Sequence, residues 1–248
     1  MKRLGIIDWG IGGISIVKLI KKQLGDVPVI YFSDTGVTPY GKMSRTELVS
    51  RLNVVITFLK SQGVSHLIIG CNAASTVIAN LDNHGIEIEG VIEHAIAETV
   101  KLKPKRLGLI GGRRTVCSAI YRKAFAHHKI TVNQRIAQPL SGLIESGDVS
   151  SGILRAECNR ILKPLGNCSH ILLACTHYPA IIPVMKDFVG GDVVFIDPVP
   201  ALANVVRKWN VQLRGDDKYL TTGDPKTMKN AAAAAFGWHI ENTEKIKL

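Results

Sequence analysis

No apolar run in this 248-residue chain reaches the ~18 residues that a membrane-spanning helix needs, so none is expected. The opening MKRLGIIDWG has two basic residues but only three aliphatic ones before Asp8. That is too short for the apolar segment of a secretion signal, and a cytoplasmic protein is the expectation. The five cysteines (Cys71, Cys117, Cys158, Cys168, Cys175) include no CxxC pair and no zinc-ribbon spacing. An odd number in such a chain favours free thiols over a disulfide framework. Acidic residues are the scarce charge, 20 against 31 Lys and Arg, which leaves a net charge of +11. The basic residues are spread along the chain, with short clusters only at KLIKKQ (Lys18 to Gln23) and KLKPKR (Lys101 to Arg106). No zinc-finger, RNA-recognition or basic-zipper pattern accompanies them, so dedicated nucleic-acid binding is not expected, whereas an anionic substrate is compatible.

What is present is a soluble, globular composition, 46% hydrophobic, long enough for one large domain or two small ones. Short aliphatic runs alternate with amphipathic stretches. LGIID, PVIYFSD, HLIIGC and IEIEGVI (Ile86 to Ile92) read as strands in the first half; RLGLIG, KITVNQ, HILLAC and DVVFID read as strands in the second. Helices are expected after GIGG through Leu24, from Arg45 to Ser61 and from near Ala73. This alternation implies βαβ units and mainly parallel sheets buried on both faces.

Two pairs of segments repeat in the same order at nearly the same interval. SHLIIGCNAAS at Ser65 matches SHILLACTHYP at Ser169, and RLGIID at Arg3 matches RLGLIG at Arg106. A duplicated unit follows: an α/β protein of two pseudo-symmetric domains, each a mainly parallel sheet flanked by helices, with the active site in the cleft between them. Residues 1–98 plus 209–248 form the first domain and 99–208 the second. KLKPKR marks the first crossing, and KWNVQLRGDDKY, around Lys208 to Tyr219, the return. In the tail, Asp224 caps a helix begun by Pro225 and ended by Gly237, and this helix packs back on the first domain.

Ligands of open α/β sheets collect outside the carboxyl ends of the strands, where Asp8, Cys71, Cys175 and the Gly111-Gly112 turn all fall. A single strand-end cysteine is ordinarily a small buried hydrophobe. Two at corresponding places of a repeat would face each other across a cleft. There one thiolate can remove a proton from a stereocentre while the opposing thiol returns one to the other face. Such inversion needs no organic cofactor, but it needs amides to hold the charge developing on an adjacent carboxylate and neighbours to tune each thiol. Asp8 can serve one thiol and His177 the other. Cys117, Cys158 and Cys168 lack the repeat and read as structural, while His66 and His170 read as solvent-facing or capping residues. Zinc accepts ligands such as Cys71, Cys175 and His177, yet nothing in their spacing demands a metal.

Nearly the whole chain resembles glutamate racemase, of the cofactor-independent aspartate/glutamate racemase superfamily. The resemblance is carried by DWGIGG at Asp8, YFSDTGVTPYG at Tyr31, CNAAS at Cys71, GLIESG at Gly142, CTHYP at Cys175 and TTGDP at Thr221. It implies two catalytic cysteines, Cys71 acting on the D-enantiomer and Cys175 on the L-enantiomer. It further implies assistance from Asp8, His177 and Glu145, a loop of Pro39, Tyr40 and Gly41 at the substrate's side-chain carboxylate, and polar contacts from Asn72, Thr115 and Thr176. The ligand is then an amino acid, glutamate first, supplying D-glutamate for peptidoglycan with no cofactor. A homodimer is an open alternative to a monomer.

The chain departs from the family at two substrate-facing positions. Trp9 stands where the family usually has the serine of DSG, and Ala73 where it has the threonine of CNT. A lost hydrogen bond to a charged group typically costs about 1.5–3 kcal/mol. A racemase of another amino acid such as aspartate, and a catalytically silent ligand-binding or regulatory protein of the same fold, remain as alternatives.

Overall fold

A computed structural model describes residues 2–209 and 213–248. The strands are β1 (Arg3–Asp8), β2 (Val29–Ser33), β3 (Val64–Ile69), β4 (Glu87–Gly90), β5 (Leu107–Gly111), β6 (Val132–Ile136), β7 (His170–Ala174), β8 (Val194–Ile196), β9 (Lys218–Thr221) and β10 (Glu244–Lys245). They form a six-stranded sheet, β10-β9-β2-β1-β3-β4, and a four-stranded sheet, β6-β5-β7-β8, with every pairing parallel. The core order β2-β1-β3-β4 of one sheet is the order β6-β5-β7-β8 of the other. The segments that repeat in sequence, RLGIID with RLGLIG and HLIIGC with HILLAC, thus occupy equivalent strands.

Alternation along the strands sorts their side chains onto two faces. Leu4, Ile6, Tyr31 and Ile68 enter an apolar cluster that also contains Leu107, Leu109, Ile171 and Leu173 of the second sheet. Ile7, Ile30, Phe32, Leu67 and Ile69 turn to the opposite side, beneath Leu48, Leu52, Val55 and Leu59 of the helix Arg45–Ser61. That helix starts where the sequence dictates: Ser44 accepts from the Glu47 amide while the Glu47 side chain accepts from the Ser44 amide, a reciprocal cap. Among the described residues no helix is long and apolar enough to cross a membrane.

Several expectations shift in detail. The fourth strand ends at Gly90, because Val91 and Ile92 already form the buried first turn of the helix Val91–Lys101. The helix after Cys71 spans only Asn72–Ser75. Of the cysteines read as structural, Cys158 is buried inside the helix Gly152–Leu162, whereas Cys117 closes the short helix Arg113–Cys117 and is exposed. His66 is not solvent-facing: it is buried in β3, edge-on to Trp209 with ring centroids 5.0 Å apart. The return expected around Lys208 to Tyr219 includes residues 210–212, which lie outside the described residues.

The tail helix Pro225–Phe236 has Asp224 as its cap, accepting from the Thr227 amide, and ends at Gly237 with φ 58°, a left-handed turn that glycine adopts without strain. It packs against both Ile14–Leu24 and Gln138–Glu145, so it touches both halves. Before and after it run β9 and β10, which extend the first sheet from β2. Gly36 lies under this addition: a Cβ there would press into the Thr222 backbone carbonyl. Backbone cannot rotate aside as a flexible side chain can. Gly36→Ala should therefore destabilise by about 1–3 kcal/mol, read as a lower urea midpoint at unchanged slope. An unaltered midpoint would mean that the segment after β9 does not seat against this turn.

Candidate active site

In each sheet the chain leaves the central strand in opposite directions, β1 between β2 and β3, and β5 between β6 and β7. A crevice opens at the carboxyl ends of such a switch point. One pocket gathers the residues that follow these strands from both sheets. Asp8 and Trp9 come from the end of β1, Cys71 to Ala73 from the end of β3, Gly112 and Thr115 from the cap and the short helix that follow β5, and Cys175 to His177 from the end of β7. Pro39, Tyr40 and Gly41 supply a further wall. Every residue expected to act on or bind the substrate therefore lines the pocket except Glu145, which stands one contact behind it.

The two cysteines have different surroundings. Cys175 Sγ lies 3.6 Å from His177 Nδ1, and His177 Nε2 donates to Glu145 Oε2 at 2.7 Å. Burial opposes charge on this imidazole. Its hydrogen bonds to Cys175 and Glu145, with their negative charges, prevail and hold its pKa well above the usual histidine range. On the other side, burial pushes the Cys71 thiol well above its ordinary value, and the nearby Asp8 carboxylate pushes in the same direction, while the Ala74 and Ala73 amides oppose both. Asp8 itself is buried. Desolvation raises its pKa against the charge of His177 and hydrogen bonds from Thr176 Oγ1, at 2.6 Å, and the Trp9 amide, at 2.7 Å.

These contacts require the two halves to approach closely, and the glycines of DWGIGG allow it. A Cβ on Gly10 would overlap the Glu145 carboxylate, and one on Gly12 would overlap Thr176 Oγ1 and His177 Nδ1. Between them the Ile11 amide donates to Glu145 Oε2 at 2.8 Å.

The substrate-facing positions divide into occupied and available groups. Tyr40 lines the pocket, is fully buried and donates its hydroxyl to Asp34 Oδ2 at 2.7 Å. Asp34 also receives Arg51 Nε and Nη2, at 2.8 and 2.6 Å, and Thr222 Oγ1 at 2.8 Å. Trp9 lines the pocket while its Nε1 donates to the Val37 carbonyl at 3.2 Å, and its ring packs on the first-sheet cluster. Asn72 accepts from Tyr121 through Oδ1 at 2.6 Å, and its buried Nδ2 has no partner among the described residues. Ala73 presents only a methyl.

Gln138 and Ser141 also line the pocket, and the sequence reading did not single them out. Gln138 Nε2 donates to Ser141 Oγ at 3.0 Å, three residues along the same helix face. The one available signal was the glutamine before Pro139 at the start of the helix Gln138–Glu145.

Residues 4–206 match the Asp/Glu/Hydantoin racemase family. A glutamate racemase of Desulforudis audaxviator is 34% identical over 211 residues, spanning 82% of this chain and 77% of that protein. One from a Thermoanaerobacter species is 31% identical over 261 residues, spanning 100% of this chain and 98% of that protein. The crystal structure of the glutamate racemase of Francisella tularensis in complex with D-glutamate superposes with a TM-score of 0.87 at 25% identity, covering 99% of this chain and 97% of that one. With most of its length inside that match, this chain belongs to the Asp/Glu/Hydantoin racemase family.

Proposed function

We propose that the protein is an amino-acid racemase that interconverts L- and D-glutamate by a two-cysteine mechanism, providing D-glutamate for peptidoglycan. One observation carries the reading: Cys71 and Cys175, from equivalent strand ends of two sheets, line a single cleft. The long glutamate racemase relatives support glutamate as the substrate. In this reading residues 1–98 with 209–248 act as one domain and 99–208 as the other, and the substrate sits between them.

The chemistry follows from the asymmetry of the thiols. A charged His177, braced by Glu145, is the partner that a thiolate at Cys175 requires. In this mechanism Cys175 starts as the base and Cys71, whose proton burial and Asp8 hold in place, starts as the acid. Cys175 removes the α-proton of the L-enantiomer, so that a C–H bond becomes an S–H bond. Cys71 gives its own proton to the opposite face of the carbanion. In the reverse direction Asp8 takes the Cys71 proton and His177 gives one to Cys175, so that Cys71 becomes the base and Cys175 the acid. Negative charge that builds on the α-carboxylate meets donors fixed in advance, among them the unpartnered Asn72 Nδ2. Glu145 acts through His177 and not on the substrate.

Trp9 and Ala73, both on the pocket wall, favour a second reading in which the same chemistry acts on a shorter amino diacid such as aspartate. The two separate by incubating the protein in D₂O with either amino acid and following loss of the α-proton signal by NMR. Exchange on glutamate is expected, and exchange on aspartate alone would overturn the substrate. Cys71→Ala and Cys175→Ala should each slow racemisation by roughly 10²–10⁴-fold, the usual worth of a positioned acid or base. Full turnover in either variant would remove the two-thiol mechanism, whereas no turnover by the unmodified protein would leave a ligand-binding protein as the reading.

A titration tests the Cys71 side. An anion beside a thiol disfavours the thiolate, so removing the charge with Asp8→Asn should move the Cys71 midpoint to lower pH. Burial is the larger cause and remains, so the midpoint should stay above the ~8.5 of a free thiol. Thiolate absorbance, taken as the difference between proteins with and without Cys71, reads the shift. No movement, or movement to higher pH, would contradict the pairing of Asp8 with Cys71.

A further inference from the structure

Beside the catalytic pocket, and sharing Gly41 with it, lies a second recess lined by Lys42, Arg113, Arg114, Cys117 and Ser118. Among the described residues, three cations and no carboxylate face this space. Among the described residues none of the three takes part in an ion pair. Lys42 and Arg113 are exposed, but Arg114 is half-buried and fixed. Its Nε donates to Thr76 Oγ1 at 3.0 Å and its Nη1 to the Met43 carbonyl at 2.9 Å. Both acceptors are neutral, so the guanidinium is held in place without its charge being offset. Burial, and then the neighbouring charge of Arg45, lower its pKa, as expected of a cation lacking a counter-ion.

The recess also has a position in the fold. Thr76, Met43 and Lys42 precede β4, whereas Arg113 and Arg114 follow β5, so its walls come from both halves of the chain. A fixed guanidinium presents paired donors in one plane, and phosphate oxygens match that geometry together with a nearby ammonium.

We propose that this recess is an anion subsite, separate from the catalytic pocket, that takes a phosphate-class oxyanion between Lys42 on one side and Arg113 and Arg114 on the other. None of these residues belongs to the proton-transfer machinery, and the subsite does not depend on which amino acid is racemised. An anion held there ties the two halves together beside the mouth of the pocket.

The test is calorimetric titration of the full-length protein with inorganic pyrophosphate at low ionic strength. Saturable binding with one site per chain is expected, weakened by added salt. Lys42→Gln combined with Arg113→Gln should weaken it by roughly tenfold or more, the scale of a lost charged hydrogen bond. Unchanged circular dichroism and thermal midpoint would show that this variant is folded. Location is read at Cys117, which is exposed in the recess: pyrophosphate should slow its alkylation by iodoacetamide in the unmodified protein and not in the double variant. Absence of saturable binding, equal binding by the variant, or unprotected Cys117 would overturn the proposal. So would glutarate binding as tightly as pyrophosphate, because the recess would then select carboxylates. These readouts need no turnover, so they stand or fall apart from the racemase reading.

Discussion

The structure depends on one crossing. The loop after β1 passes so close to the second sheet that Glu145, Thr176 and His177 occupy space that side chains on Gly10 and Gly12 would need. Through this contact Thr176 reaches Asp8 and Glu145 reaches the Ile11 amide, so groups from the two sheets share one hydrogen-bonded unit. The cluster that joins Leu4 and Ile6 to Leu109 and Leu172 supplies apolar attachment behind it. The polar contacts set the register of the halves, and buried polar groups specify such a register because leaving any of them unpaired is costly.

The same crossing explains why equivalent cysteines have different neighbours. Duplication places them at matching strand ends, but the neighbours supplied by the two loops differ. An imidazole braced by a carboxylate stands beside Cys175, and a carboxylate with backbone amides stands near Cys71. In the proposed proton shuttle the two sets of neighbours would let one thiol act as base while the other acts as acid.

Much of this arrangement was legible in the sequence. The repeated RLG and Ser-His segments announce equivalent strands because a buried parallel strand needs a continuous aliphatic run, and such runs survive as recognisable copies. Asp224, Pro225 and Gly237 bracket a helix through local chemistry alone. The strands β9 and β10 were not legible: they span only four and two residues, and in β10, at the sheet edge, Glu244 and Lys245 carry charges that suit an edge but give no periodic signal. Burial of His66 depends on Trp209, far along the chain. Likewise, the contribution of Gln138 and Ser141 depends on where their helix meets a cleft made by other segments, which no local pattern encodes. The partner of the Tyr40 hydroxyl, Asp34, lies only six residues away, yet the pairing depends on Arg51 and Thr222 closing around the same carboxylate.

Trp9, anchored by its indole nitrogen and exposing part of its ring to the cleft, also gives the protein an optical probe of its own. The other two tryptophans are engaged elsewhere, Trp209 with His66 and Glu87, and Trp238 with Tyr219. Fluorescence that responds to a bound small molecule therefore originates at a single known indole, and occupancy of the cleft is visible without a label.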